Sequence, residues 1–372
     1  VTPSFDFKPL GRVVFEAGGL ARLGELARSL AATRALLVTD PGLEASGHPQ
    51  RAEAILRDAG VAVTVFDGVK ENPSEIEVAS GTSVARSAGV DLIVAVGGGS
   101  TMDCAKGINF ILTNGGRMAD YWGHDKAAKP MLPSIGVPTT SGTGSEAQSY
   151  ALISDPVSHR KMACGDKKAA FRVSILDPEL TLTQPRGVTA VTGIDAVAHA
   201  VESFVSTAAT PMSRMASLAA FRHLDANFET VLRSPGDKTA RAAMQLGAHF
   251  AGMAIENAML GACHSCANPL TAKFGTVHGA AIGLMLPHVV RFNAKSVEAD
   301  YRELTGQGSD DLADRILAWV RVAELPTRLR DLAIPRDAIP ALAADALTQW
   351  TAKFNPRPLS QSDFESLYDA AW

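Results

Sequence analysis

The sequence predicts two parts: an α/β domain built on a parallel sheet over residues 1–184, and an all-α domain over residues 185–372. Up to about residue 184, short β-branched runs alternate with Ala/Leu-rich stretches of helical periodicity. After Pro185-Arg186-Gly187, long stretches rich in Ala, Leu and Met follow, with few β-branched runs. The length, 372 residues, also exceeds the size at which one hydrophobic core usually stops growing.

Taken in order, the opening segment Phe5 to Phe15 suggests a hairpin around Pro9-Leu10-Gly11. Leu20 to Ala31 has helical periodicity, and Ala35 to Thr39 follows as a continuous apolar run ending at Asp40. Pro49 to Ala59 and Glu75 to Ala88 are again helical, while residues 61–66 and 92–96 are apolar runs. Such runs are expected of parallel strands covered on both faces. No internal repeat or low-complexity linker interrupts the chain.

Composition excludes several classes of function. Apolar residues make up 46% and charged residues 20%, which is globular composition. A net charge of −4 without a Lys/Arg block gives nucleic acid no electrostatic footprint. The apolar stretch around residues 250–260 carries Glu256 and falls short of the roughly 20 residues of a spanning helix, so no membrane partner is expected. The first residues show neither a basic nor an apolar leader pattern, and a cytoplasmic location is expected. Four cysteines, Cys104, Cys164, Cys263 and Cys266, do not make a disulfide framework in so long a chain. The Cys263-x-x-Cys266 pair reads best as buried small apolar side chains.

Two glycine loops stand out. Gly97-Gly98-Gly99-Ser100 lies between an apolar strand and the helical stretch Thr101 to Leu112, so backbone N–H groups at a helix start are presented to an anion such as a pyrophosphate. The run matches neither G-x-G-x-x-G nor a P-loop, and a plain tight turn explains it equally well. In residues 137–145 five hydroxyl side chains, Thr139, Thr140 and Thr143 among them, suit contacts with ribose and amide groups; an ordinary polar loop is the alternative. Asp40, at the end of its strand, is placed to accept ribose hydroxyls and to repel a 2′-phosphate, favouring NAD over NADP. Before Pro41-Gly42 it is also an ordinary turn residue.

The second half carries a candidate metal constellation. Asp195 and His199 lie four apart in a stretch of helical periodicity, so both project from one face. The residues 258–264 read as the end of one apolar helix and 277–285 as the start of the next, with Pro269 and Gly275 breaking the chain between. His264 and His278 would then converge from facing helix ends. A carboxylate and imidazoles suit one divalent ion. Alone, the Asp195–His199 pair is more often a surface hydrogen bond, and each histidine taken singly is more often structural; three histidines and one aspartate in apolar helices are harder to dismiss together.

These residues resemble the iron-containing (group III) alcohol dehydrogenase family over essentially the whole chain. Gly97 to Ser100 with Asp103 and Lys106 resembles its GGGSxxDxAK segment, and Pro138 to Glu146 its PTTSGTGSE loop. Gly193-Ile194-Asp195-Ala196 with His199 is similar to its G-x-D-A-x-x-H helix, and His264 and His278 match its last two ligands. Asn355-Pro356-Arg357-Pro358 is also like the family. The resemblance implies a Rossmann-like dinucleotide-binding domain over 1–184 and a helical metal-binding domain over 185–372. It implies NAD(H), one Fe²⁺ or Zn²⁺ held by Asp195, His199, His264 and His278, and a homodimer. It further implies that Lys161 contacts the cofactor ribose and that Asn72 contacts the cofactor. In one respect the sequence departs: many members carry a histidine four residues after the third ligand, beside the substrate, and here that residue is Asn268. His124, His159, His223, His249 and His288 match no ligand position and read as structural or solvated.

The expected function is hydride transfer between nicotinamide and a metal-bound small alcohol or carbonyl substrate, with Asn268 in the catalytic surroundings. The alternatives are a catalytically silent NAD-binding or redox-sensing protein, or a polyol dehydrogenase or maleylacetate reductase-like enzyme of related fold.

Overall fold

A computed structural model describes residues 4–158 and 160–372; His159, read above as structural or solvated, lies outside the described residues. The chain divides into two compact units. One comprises Lys8–Thr140 and Gly144–Gln184; the other comprises Pro185–Trp372 with Ser141–Thr143 and the described residues before Lys8.

The first unit runs β1 (Arg12–Phe15), α1 (Leu23–Ser29), β2 (Arg34–Val38), α2 (His48–Asp58), β3 (Ala62–Phe66), α3 (Glu75–Ala88), β4 (Leu92–Gly97), α4 (Gly99–Asn114), β5 (Gly123–His124), β6 (Ser134–Pro138), β7 (Tyr150–Ser154), β8 (Lys161–Gly165) and β9 (Val173–Leu176). Six strands form a sheet in the order β1-β9-β6-β4-β2-β3, and every neighbouring pair is parallel. The apolar runs serve both faces. Leu36, Val38, Ile93 and Ala95 enter one core cluster, while Ala35, Leu37, Leu92, Val94 and Val96 enter the other. At the edge the covering fails, and Val65 of β3 is 40% exposed. A smaller sheet, β5-β8-β7, completes the unit.

Two expectations are corrected. No opening hairpin forms: only Arg12–Phe15 is a strand, and it pairs in parallel with β9. Gly11, at φ +63°, lies so close to the Phe171 carbonyl that a Cβ would stand 2.3 Å from its oxygen. The glycine therefore seats β1 beside a distant strand instead of turning the chain back on itself. The helix expected over Leu20 to Ala31 opens as a 3-10 turn, Gly19–Arg22, and ends at Ser29.

The second unit is helical, as expected: α5 (Arg186–Val205), α6 (Pro211–Arg233), α7 (Lys238–Ala258), α8 (Ala262–Phe274), α9 (His278–Thr305, interrupted at Val297), α10 (Ser309–Val322), α11 (Ile339–Leu347) and α12 (Gln361–Ala370). At its centre lies α5, buried without a break from Gly193 to Val205. By length and composition α5 is apolar enough to cross a membrane, a stretch the sequence reading passed over. Yet 83% of its apolar window is covered by protein, which makes it a core helix. Two glycines bring neighbours close. A Cβ on Gly193 would meet the Phe228 ring at 2.6 Å, and one on Gly279 would meet the Val191 carbonyl oxygen at 2.0 Å. The second contact seats the first turn of α9 on α5, one turn before Asp195.

Candidate metal centre

Asp195 and His199 project from the same face of α5, as their four-residue spacing requires. His264 arrives differently from expectation. The helix preceding it ends at Ala258, Met259 adopts φ +66°, and α8 begins at Ala262 after the N-cap Gly261. His264 thus sits in the first turn of α8, and Pro269 lies inside that helix without ending it. His278 opens α9. Both histidines therefore stand at helix N-termini, where the dipole disfavours an added positive charge.

The four side chains converge. The Asp195 Oδ1 atom lies 3.4 Å from His264 Nε2, 3.5 Å from His199 Nε2 and 3.9 Å from His278 Nε2. The first three ligand atoms lie within 4.8 Å of one another. With metal–nitrogen and metal–oxygen bonds of about 2.0–2.1 Å, neighbouring ligands of one ion would stand about 2.9–3.4 Å apart. The spacing fits a divalent ion. It does not fit a self-contained hydrogen-bond cluster, because Asp195 Oδ1 and His264 Nε2 are buried and make no hydrogen bond. The His199 and His264 rings stack with centroids 4.9 Å apart.

Electrostatics agree with that donor set at Asp195 and His199. Burial pushes the Asp195 carboxyl up, but His199, His264 and His278 outweigh it and hold the acid well below the carboxylate range, so it is ionised. Burial lowers His199 despite Asp195, which keeps it neutral as a ligand must be. Burial opposes protonation of His264 too, yet Glu202 and Asp195 lift it to about 9, so without an ion the ring keeps a proton that metal binding must displace.

Glu202 was missed by the sequence reading. It is buried in α5, its Oε1 accepts the Cys263 N–H at 2.7 Å, and its Oε2 pairs with His264 Nδ1. Its position was a usable signal: three residues after His199 and seven after Asp195, it shares their helical face.

In the α/β unit the candidate cofactor residues gather at the carboxyl ends of β2, β4 and β6. Strand order reverses about β2 and β4, which is where such sheets bind ligands. Gly98 caps α4 without a side-chain hydrogen bond, which leaves the N–H groups of Gly99 and Ser100 facing outward at a helix start. Asp40 follows β2 and accepts the Thr101 hydroxyl at 3.1 Å. The Asn72 N–H, in a left-handed turn at φ +52°, donates to Ser100 Oγ at 3.2 Å. The Thr139 N–H donates to the Gly97 carbonyl at 2.9 Å, and Thr140 packs against Gly98. Lys161 starts β8 in the smaller sheet, where its charge acts on Asp103. Thr143 groups with the helical unit. Asn268 lies one helical turn beyond His264, and its Nδ2 donates to Gln349 Oε1 at 3.0 Å.

A family model described as iron-containing alcohol dehydrogenase matches residues 11–178. A second, described as the C-terminal part of the Fe-containing alcohol dehydrogenase family, matches residues 189–372. The chain belongs to the iron-containing alcohol dehydrogenase family. It is similar to alcohol dehydrogenase 4 of Schizosaccharomyces pombe, 33% identical over 99% of this chain and 88% of that protein. Its fold is similar to a crystal structure of 1,3-propanediol oxidoreductase, with a TM-score of 0.94 and 33% identity over the whole of both chains. It is also similar to sulfoacetaldehyde reductase from Bifidobacterium kashiwanohense in complex with NAD+, with a TM-score of 0.90 and 28% identity over 99% of each chain. The family makes the protein an oxidoreductase of the alcohol dehydrogenase type.

Proposed function

We propose that the protein is an NAD(H)-linked, divalent-metal-dependent alcohol dehydrogenase or aldehyde reductase acting on small alcohols or aldehydes. One observation carries this reading: a buried, ionised Asp195 whose Oδ1 has no hydrogen-bond partner stands among three imidazole nitrogens at metal-ligand spacing. A divalent ion held there supplies Lewis acidity toward an alcohol or carbonyl oxygen, and NAD(H) supplies or accepts the hydride. The oxygen and nitrogen donors suit Fe²⁺ or Zn²⁺.

The roles of this chain's own residues follow. Asp195, His199, His264 and His278 hold the ion. Gly97, Gly98, Gly99 and Ser100 offer backbone donors to a pyrophosphate, with the dipole of the sixteen-residue α4 favouring its charge. Asp40, Asn72, Thr139, Thr140, Thr143 and Lys161 serve the remaining polar groups of the cofactor. Asn268 faces the substrate. Its Nδ2 is engaged by Gln349, so its Oδ1 is the atom left to accept a hydrogen bond from a polar substrate. An amide does not titrate, so no imidazole relays a proton from this position. The same reading includes a cytoplasmic homodimer.

Redox sensing is disfavoured by the thiols. All four cysteines are free and buried, and burial pushes Cys263 and Cys266 well above the ordinary thiol range, away from reactive thiolate. The test is metal analysis of the purified protein together with NADH consumption over a panel of small aldehydes. About one divalent ion per chain and metal-dependent turnover are expected; a metal-free protein of full activity would overturn the proposal.

A further inference from the structure

We propose that Glu202 is the positioning residue of the metal centre: it fixes the tautomer and orientation of His264 and at the same time anchors the start of the helix that carries it. The inference rests on the four-ligand reading above.

Glu202 is 4% exposed in the most apolar part of α5, where a carboxylate is retained only if it is fully paired. Both oxygens are used, and both by the first turn of α8. Oε1 takes the Cys263 N–H at 2.7 Å, and Oε2 takes the His264 ring at Nδ1. A carboxylate that accepts from Nδ1 fixes that proton there, so that when an ion binds, Nε2, on the side of Asp195, is the nitrogen left to hold it. Gly261 makes room for the arrangement: a Cβ there would lie 3.2 Å from Glu202 Oε1 and 3.0 Å from Asn355 Oδ1.

Asn355 supplies the contrast. Its Oδ1 accepts the Ala262 N–H at 3.2 Å, so it secures the same helix end, and it is itself held by Asn293 and the Arg357 carbonyl. None of its hydrogen bonds reaches the imidazole. A residue that only caps α8 should behave like Asn355, whereas a residue that orients the ligand should change the metal itself.

The experiment titrates the metal-free protein with Co²⁺, reading affinity by chelator competition and geometry from the visible ligand-field bands. Glu202→Gln keeps the shape but can accept only one of the two hydrogen bonds. It is expected to weaken Co²⁺ binding by about 10–100-fold and to shift the bands. Asn355→Ala is expected to lower the melting temperature and leave Co²⁺ affinity and bands unchanged. Unaltered affinity and bands in Glu202→Gln, or equal loss in Asn355→Ala, would overturn the proposal. Failure of the parent to take up Co²⁺ would instead overturn the metal reading on which it rests. Should Glu202→Gln not fold, NMR of Zn²⁺-loaded parent protein with isotope-labelled histidine decides. His264 protonated and hydrogen-bonded at Nδ1 supports the proposal, and metal bound at Nδ1 contradicts it.

Discussion

At the carboxyl ends of β2, β4 and β6 the groups offered to a ligand are backbone amides and short hydroxyls, whereas around Asp195 they are buried side chains. Each arrangement is stiffened by one buried charge behind it. In the α/β unit this is Lys106, 1% exposed, whose ammonium donates to the Ser145 carbonyl and hydroxyl and to the Tyr150 carbonyl at 2.7–2.8 Å and so pins one end of the second loop. In the helical unit it is Glu202. The sign of the supporting charge follows what it must satisfy: carbonyl oxygens at the loop, N–H donors at the start of α8. The difference teaches where each site is vulnerable. A backbone site suffers when a side chain is added, and a side-chain site suffers when one is removed.

The largest effect in the α/β unit should come from Gly98→Ala. Its backbone, at φ −83°, accepts alanine, and the new Cβ would lie 3.2 Å from Thr140 Cγ2, so the fold should survive with a small adjustment. Close approach of a pyrophosphate should not survive. We expect the NADH dissociation constant to rise about tenfold, equivalent to about 1.4 kcal/mol, with metal content unchanged. Unchanged NADH binding by calorimetry would remove the glycine loop from the cofactor site.

A smaller effect should follow Asp40→Ser. The carboxylate is held beside α4 by the Thr101 hydroxyl, and like charges at about 4 Å in water repel by about 1 kcal/mol. The ratio of kcat/KM for NADPH over NADH should therefore rise by about fivefold. A parent enzyme already favouring NADPH would leave Asp40 as a turn residue only.

What the sequence disclosed follows the range of the interactions involved. The parallel strands were legible because an apolar run states its own burial, and α3 was placed to the residue by its helical periodicity, its start being closed by the Ser74–Glu77 capping box. The shared face of Asp195 and His199 was legible from their helical spacing. The start of β1 was not, because the role of Gly11 depends on a carbonyl 160 residues away. The helix around His264 was misread for a related reason. The break at Met259 lies within an unbroken apolar run, while Pro269, a conspicuous breaker, is tolerated inside α8. Glu202 was passed over because a lone acid in an apolar helix says nothing until its partner, 62 residues on, is known.

The metal centre is probed most directly by metal content, turnover and NADH affinity determined on the same preparation of His264→Ala. Loss of the ion and of turnover is expected, because removing one donor from a four-residue set that also relies on its Glu202 partner weakens metal binding, with NADH affinity kept, because the proposed pyrophosphate site is built from backbone N–H groups of the other unit. Retention of both the ion and turnover in this variant would contradict the four-ligand reading.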